Sequence, residues 1–308
     1  MKPNKYGFVR KIKKLLGHVY TIVLLFLDLI SQILFLRPKL SLNPVDLNVN
    51  IQSYPRVAVF ASFINSVVEQ NEAQRVISQI WEEFDTVLVI NTGGIQFSAS
   101  YANVLVFSRD NFGRDLVSYK LAADLLNLDN TSEIFFFNDS VIWSETSLSN
   151  FLIKARESEY EVTSLTSSEQ HSLHLQSYAL HLKGDVVELA KAFRAIRVSN
   201  FKWLIVEAGE KMLSRFWISK NVSIGGIYNQ ETLSPLLENY VDLYPEDYDI
   251  LQKLISQNVP LNPSIHLWAP LYALSGVVKK ALINRNPAKL KYFPRSLAEI
   301  QLRIYLIS

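Results

Sequence analysis

The sequence predicts an α/β protein built on a mostly parallel sheet, and two patterns carry that prediction. Four short apolar runs, at residues 56–60, 86–90, 103–107 and 134–137, lack the alternation of polar and apolar residues that a solvent-facing strand shows. Residues 65–84 and 116–126 have the apolar spacing of helices that cover such strands. Strands buried on both faces and connected by helices are typical of a Rossmann-like central sheet.

Composition restricts the function classes. The 308 residues carry 31 Lys plus Arg against 29 Asp plus Glu, and a net charge of +2 provides no overall field for nucleic acid. The chain has no cysteine, which excludes disulfides, thiolate nucleophiles and thiolate metal ligands. A bound metal would therefore need Asp, Glu, His or Asn ligands.

Residues 1–40 combine a basic cluster with an apolar run. Residues 1–17 contain six Lys or Arg and no acid, and residues 19–36 are almost wholly apolar. At helical spacing the polar residues form one narrow stripe, consisting of Lys11, Lys14, His18, Thr21, Asp28 and Gln32. Such a stripe favours a helix lying on the cytoplasmic leaflet, because Asp28 opposes insertion and lysines attract anionic lipids. A buried helix and a true membrane span are the alternatives. Residues 41–55 are predicted to be a linker.

The body divides into two predicted halves, residues 56–160 and residues 161–308. The first half carries the four apolar strands and is predicted to bind a nucleotide. The second half changes pattern, with strands predicted at residues 161–165 and 176–182 and helices at residues 186–197, 203–215 and 233–240. We expect this half to close the cleft.

Two polar segments follow apolar strands of the first half. The segment at residues 111–115 reads Asn-Phe-Gly-Arg-Asp and precedes a helix, so Arg114 and the helix N-terminus are placed to approach a diphosphate. The segment at residues 138–140, Asn-Asp-Ser, ends the fourth strand, where Asp139 is a candidate ligand for Mg²⁺ or Mn²⁺ on that diphosphate. The alternatives are a plain turn with helix-capping residues in the first segment and an Asx-turn in the second.

Two segments of the second half carry further candidates. His174 and Gln176 share one face of a predicted strand and supply the hydrogen-bonding groups that a sugar needs. Glu207 lies in an otherwise apolar helical stretch and is a candidate base for an acceptor hydroxyl. A satisfied strand histidine and a solvated helix glutamate are the alternatives.

Five motifs, taken in order, resemble the rhamnan synthesis protein F family of bacterial polysaccharide glycosyltransferases. They are Asn111-x-Gly-Arg-Asp115, Phe137-Asn-Asp-Ser140, His174-Leu-Gln-Ser-Tyr178, Asn262-Pro263 with Trp268, and Lys279-Lys280 before Asn286-Pro287. The resemblance covers residues 55–290. It implies a GT-A-like fold and transfer of a sugar, rhamnose or a related hexose, from a nucleoside-diphosphate donor to a lipid-linked cell-surface glycan. The implied location is the cytoplasmic face of the bacterial inner membrane.

The resemblance also assigns roles to residues. The donor-binding set would be Asn111, Gly113, Arg114, Asp115, Asn138 and Asp139, with Asp139 as the metal-binding position. Gln176 and Ser177 would face the sugar or acceptor, and Glu207 or His174 would remove the acceptor proton. The competing hypothesis is a glycan-binding or scaffold subunit of a polysaccharide assembly complex that uses the same cleft without turnover.

Overall fold

The computed structural model describes residues 19, 22, 23, 26, 41–45, 53–170, 172–196, 199, 202–244 and 247–285. Most of the predicted membrane-associating helix at residues 1–40 lies outside these residues. Its four described residues, Val19, Ile22, Val23 and Phe26, are helical and exposed. Within the described ranges, no helix combines the length and apolar character that crossing a membrane requires.

Eleven strands are present in the described residues. They are β1 (Asn43–Pro44), β2 (Arg56–Ser62), β3 (Thr86–Asn91), β4 (Val104–Ser108), β5 (Glu133–Asn138), β6 (Val141–Trp143), β7 (Val162–Ser168), β8 (His174–Leu175), β9 (Ala179–Lys183), β10 (Ile224–Tyr228) and β11 (Val277–Lys279). The four predicted strands of the first half are therefore confirmed as β2, β3, β4 and β5.

Helices fill the connections. They are α1 (Val67–Ser78), α2 (Arg114–Leu125), α3 (Ser147–Glu157), α4 (Val186–Arg194), α5 (Lys202–Ile205), α6 (Lys211–Ser219), α7 (Gln230–Leu233), α8 (Tyr248–Ser256), α9 (Pro263–His266), α10 (Trp268–Ser275) and α11 (Lys280–Arg285). Segments Trp81–Glu83 and Ser234–Leu243 are 3₁₀ helices, and Val206–Glu210 is a π-helix between α5 and α6.

One sheet runs through both predicted halves, in the order β1-β4-β3-β2-β5-β9-β7-β10, with β8 attached to β7. β2, β3, β4 and β5 are mutually parallel, and β7 pairs parallel with β10. β9 is antiparallel to both β5 and β7, so β7 runs in the direction of β5. The predicted α/β class with a mostly parallel central sheet is confirmed.

Alternate residues of each central strand enter cores on opposite faces of the sheet. Phe135 and Phe137 pack with α1 and α3 on one face, and Ile134 and Phe136 pack with α2 and α4 on the other. All four side chains are fully buried. Burial on both faces is the reason these strands read as continuous apolar runs.

Several boundaries differ from the sequence expectation. β9 begins at Ala179 rather than residue 176, because the N–H of Ser177 donates to the side chain of Glu210 instead of to the backbone of a strand. The helix predicted at residues 203–215 extends to Ser219 and contains the π-helix. In the predicted linker, Asn43 and Pro44 pair with Ser108 and Phe107 of β4.

Candidate active site

The order of the strands reverses at β2, which defines where a ligand crevice forms. From β2 the chain moves outward through β3 and β4, then returns to β5 on the other side of β2. In open α/β sheets, ligands bind in the crevice outside the carboxyl ends of the strands at such a switch point. Asp139 joins the two ends, since its N–H donates to Ala61 O at 3.3 Å and its Oδ2 accepts from Phe63 N at 2.7 Å.

The segment at residues 111–115 turns sharply into α2. Gly113 has φ of 70° and Arg114 has φ of 56°, so two successive residues adopt the left-handed conformation. An arginine in this region is disfavoured by about 1 to 2 kcal/mol, and such local strain is concentrated at functional sites. The conformation leaves the Arg114 side chain exposed, and no described residue bonds to its guanidinium.

A buried arginine, Arg109, holds this turn from beneath. Its Nε donates to Ser118 Oγ at 2.9 Å, its Nη1 donates to the carbonyls of Asp110 and Phe112 at 2.7 Å each, and its Nη2 donates to the carbonyl of Arg114. Burial lowers the pKa of Arg109 to about 10 against the opposing charges of Asp115 and Asp110. Sequence reasoning missed this residue, because an arginine ending a strand carries no local sign of burial.

In the turn at residues 138–140, the side chain of Asn138 makes two kinds of contact. Asn138 Oδ1 accepts from Ser140 N at 2.9 Å, which is the Asx-turn given above as the alternative reading of this segment. Asn138 Nδ2 donates to Asp115 Oδ2 and so connects the end of β5 to the first turn of α2. The helix-cap position of α2 is Gly113, and Asp115 instead reaches across to Asn138.

Ser177 brings a second carboxylate to the same place. Its Oγ lies 2.7 Å from Glu210 Oε1 and 3.3 Å from Asp115 Oδ2, and its N–H donates to the same Glu210 oxygen at 2.9 Å. The carbonyl of Ser177 accepts from Tyr119 OH at 3.1 Å. Asp115 and Glu210, which are distant in sequence, therefore meet around one hydroxyl group.

The π-helix decides which glutamate reaches this position. Gly209 packs so closely on α2 that a Cβ there would lie 2.4 Å from Leu116 Cδ1, and this contact places the neighbouring Glu210 beside Asp115. Glu207, three residues earlier, forms an ion pair with the buried Lys211. The carboxylate that joins the site is thus Glu210, whereas the sequence pointed to Glu207. π-Helical turns inside α-helices recur at functional sites.

Burial raises the pKa values of two aspartates in the site. Burial, followed by the charge of Glu210, raises the pKa of Asp115. Burial likewise raises the pKa of Asp139, although the charge of Lys280 opposes the shift. Raised carboxyl pKa values in a cleft are typical of proton-transfer sites.

The surroundings of Asp139 contain few groups that could hold a metal ion. One oxygen of Asp139 accepts the Phe63 N–H, and its sequence neighbours Asn138 and Ser140 bond to each other. Within the described part of the chain, no three His, Asp or Glu side chains lie close enough together to hold a metal ion. Mg²⁺ can be held by one or two carboxylates together with substrate phosphates, so the role of Asp139 as a metal ligand stays a prediction.

Other predicted residues occupy different positions. Gln176 is buried, accepts from Thr166 Oγ1, and donates to Asn262 Oδ1 at 3.4 Å. His174 is buried in β8, with Nδ1 2.9 Å from Ser172 O. No described contact of His174, Gln176 or Glu207 reaches Asp115 or Glu210. Asn111 is exposed at the rim of the turn, and the roles given to these residues stay predictions.

Comparison with known proteins adds only remote likenesses. No protein-family model and no curated protein matches the sequence. Among solved structures, a protein from Desulfovibrio desulfuricans described as a nucleotide-diphospho-sugar transferase aligns with this chain. The alignment covers 57% of this chain and 80% of that protein, at 8% identity and TM-score 0.36. A 4-diphosphocytidyl-2C-methyl-D-erythritol synthase from Anaerococcus prevotii aligns over 57% and 86%, at 8% identity and TM-score 0.37.

The inositol-1-phosphate CTP transferase of T. maritima also aligns over 57% of this chain and 86% of its own, at 10% identity and TM-score 0.32. Likenesses this remote carry no information on the reaction. The function is therefore inferred from the strand order and from the residues that the fold brings together.

Proposed function

We propose that this protein is a glycosyltransferase that moves a sugar from a nucleoside-diphosphate donor onto an acceptor hydroxyl group. The observation that carries the proposal is the assembly, at the switch point between β2 and β5, of polar groups from four separate segments. These groups are Arg114 and Asp115, Asn138 and Asp139, Ser177, and Glu210. A crevice at this position of an α/β sheet is where such folds bind nucleotides.

The donor side is formed by the turn at residues 111–115. The exposed guanidinium of Arg114 is suited to a diphosphate, because its planar donors match pairs of phosphate oxygens. Helix α2 is 12 residues long and starts at Arg114, so the positive end of its dipole faces the same anion.

The acceptor side is formed by Glu210. Its Oε1 is held by the N–H and hydroxyl of Ser177, and no described residue bonds to Oε2. A carboxylate fixed through one oxygen with the other available is suited to take a proton from a bound hydroxyl group. Glu210 takes the acceptor proton while the acceptor oxygen bonds to the anomeric carbon, and the bond from that carbon to the diphosphate oxygen breaks.

The finer substrate assignment follows the resemblance to the rhamnan synthesis protein F family. Motifs far apart in the sequence, at residues 111–115, 138–140, 174–178 and 279–280, lie around one edge of the sheet. Their proximity supports reading them as one site. We assign rhamnose or a related hexose as the transferred sugar and a lipid-linked bacterial polysaccharide as the acceptor.

Attachment to the cytoplasmic membrane leaflet is part of this proposal. Val19, Ile22, Val23 and Phe26 are spaced as one helical face, and all four side chains are exposed. The basic cluster of residues 2–14 precedes them. An apolar face beside lysines suits an anionic lipid surface. Replacing the four residues with serine should release the protein from phosphatidylglycerol vesicles in a sedimentation assay. Unchanged sedimentation would contradict the proposed membrane attachment.

Donor turnover tests the proposed function. The purified full-length protein, incubated with a panel of uridine, guanosine and deoxythymidine diphosphate sugars, should release nucleoside diphosphate from at least one, and faster with acceptor lipid extract. Binding without release would indicate a glycan-binding or scaffold subunit. A protein that neither binds nor cleaves any member of the panel is not a glycosyltransferase of this kind.

A further inference from the structure

We propose that Lys279 and Lys280 bind the diphosphate of the donor and carry the positive charge that a divalent cation would otherwise supply. The proposal rests on the glycosyltransferase function above and concerns how the leaving group is stabilised.

The two lysines are fixed to the turn that ends β5. Lys279 is the last residue of β11 and pairs with Val141 of β6, and the N–H of Lys280 donates to Ser140 O at 3.0 Å. Gly276, with φ of 68°, turns the chain from α10 into β11, and a Cβ there would lie 2.1 Å from Ser144 Oγ. The backbone therefore holds both lysines beside Asn138 and Asp139 whatever their side chains contact.

The two side chains have different neighbours. The Lys279 ammonium lies 4.7 Å from the centre of the Tyr178 ring, and its charge lowers the pKa of Asp115 against the larger effect of burial. Lys280 is the cation in a small cleft at the end of β2 whose polar lining also includes Ser62, Glu69, Glu72 and Asp139. The buried Ser62 Oγ in this cleft has no hydrogen-bond partner and is a further donor for an incoming oxygen.

The two lysines are positioned to offset negative charge once a donor binds. The charge of Lys279 acts on Asp115, and the charge of Lys280 acts on Asp139. A diphosphate adds negative charge, and more develops on its oxygen as the bond to the anomeric carbon breaks. Lys279 and Lys280 are placed to neutralise that charge, because both lie next to the turn that ends β5.

Calorimetric titration of the full-length protein with the nucleoside diphosphate that binds best tests the assignment. We expect wild-type affinity to be unchanged by EDTA. Lys279→Ala and Lys280→Ala should each weaken binding about 5- to 50-fold, as expected for the loss of one charge-assisted contact. Binding of the corresponding nucleoside, which lacks phosphate, should not change.

Three controls separate charge from structure. Lys253→Ala removes an exposed lysine of α8 and should leave binding unchanged. Lys279→Arg and Lys280→Arg keep the charge and should restore most of the affinity, with thermal melting confirming that each variant folds. Lysine variants that bind as tightly as wild type, or a wild type that needs Mg²⁺ or Mn²⁺ to bind, would overturn the lysine assignment alone. Wild-type protein that binds no nucleoside diphosphate would overturn the proposed function with it.

Discussion

The two ends of strand β5 place carboxyl groups in opposite electrostatic situations. At the amino end, Glu133 accepts from Arg156 Nη2 at 2.8 Å and from His181 Nε2 at 2.8 Å. Burial alone would raise the pKa of Glu133, but the hydrogen bonds from His181 and Arg156 outweigh it and lower the pKa to about 2. At this end, hydrogen bonds from Arg156 and His181 stabilise the ionised form of Glu133.

At the carboxyl end, by contrast, carboxyl groups crowd together. Asp115 and Glu210 share Ser177, Asp139 lies one residue beyond the end of β5, and the pKa values of Asp115 and Asp139 are raised. The carboxyl groups at the carboxyl end of β5 therefore lower the stability of the folded state, whereas the ion pairs of Glu133 at the amino end raise it. In the described part of the chain, Asp115 and Asp139 are the carboxyl groups whose pKa is raised, and both lie at the edge where the active site is proposed.

The largest expected effect separates the two glutamates of the π-helix. Glu210→Gln should slow sugar transfer about 10²- to 10⁴-fold by removing the base, and it should leave stability unchanged or higher because a neighbour of Asp115 loses its charge. Glu207→Gln should keep the transfer rate and lower the free energy of unfolding by about 1 to 3 kcal/mol, since the buried Lys211 loses an ionic partner. Single-turnover rates and urea unfolding measure both, and a Glu210→Gln variant that transfers at the wild-type rate would remove Glu210 as the base.

The next effect belongs to the amino end of β5. Glu133→Gln should lower the free energy of unfolding by about 2 to 4 kcal/mol, because the partly buried Arg156 and the fully buried His181 lose a shared carboxylate. Transfer activity per folded molecule should not change. Glu83→Gln is the matched control, because Glu83 pairs with the same arginine at the surface, where a pair contributes at most about 1 kcal/mol. An equal decrease in the free energy of unfolding in the two variants would show that Glu133 stabilises the fold no more than a surface ion pair does.

A smaller effect is expected at the exposed arginine of the donor turn. Arg114→Ala should weaken nucleoside-diphosphate binding by about 1.5 to 3 kcal/mol through loss of a charge-assisted contact. The melting temperature should hold, because no described residue bonds to this guanidinium. Arg215→Ala, at another exposed arginine, is the control for general charge loss. Unchanged affinity in folded Arg114→Ala protein would exclude Arg114 from the site.

The comparison of β5 with its surroundings also shows what the sequence could predict. Four buried parallel strands leave a continuous apolar signal, and polar residues directly after them must lie at the carboxyl edge, so Asp115, Asn138 and Asp139 could be found. Arg114 could be found for the same reason, because Gly113 beside it marks an unusual turn.

Glu210 could not be found in this way. Helical periodicity gives Glu207 and Glu210 nearly the same face, and the choice between them depends on the π-helix and on the salt bridge from Lys211. The remaining signal is Gly209, because a glycine inside a helix marks a close approach to another element. Arg109 gave no signal, since its partners are backbone carbonyls and one serine rather than an acid.

The smallest effect, and the one that tests both ends of β5 together, is the pH dependence of stability. The folded state holds the proton of Asp115 more tightly than the unfolded chain, so the contribution of this group is complete below its usual pKa of 3.8 and is lost as pH rises through the raised value. The melting temperature of Asp115→Asn minus that of wild type should therefore increase as pH rises from about 4 toward neutrality. Glu133 has the opposite sign, because its lowered pKa contributes stability above its usual value of 4.5 that is lost as pH falls toward about 2. The decrease in melting temperature caused by Glu133→Gln should accordingly become smaller toward acid pH. If the melting temperature of Asp115→Asn minus that of wild type stays constant or falls with rising pH, the pKa of Asp115 is not raised in the folded state.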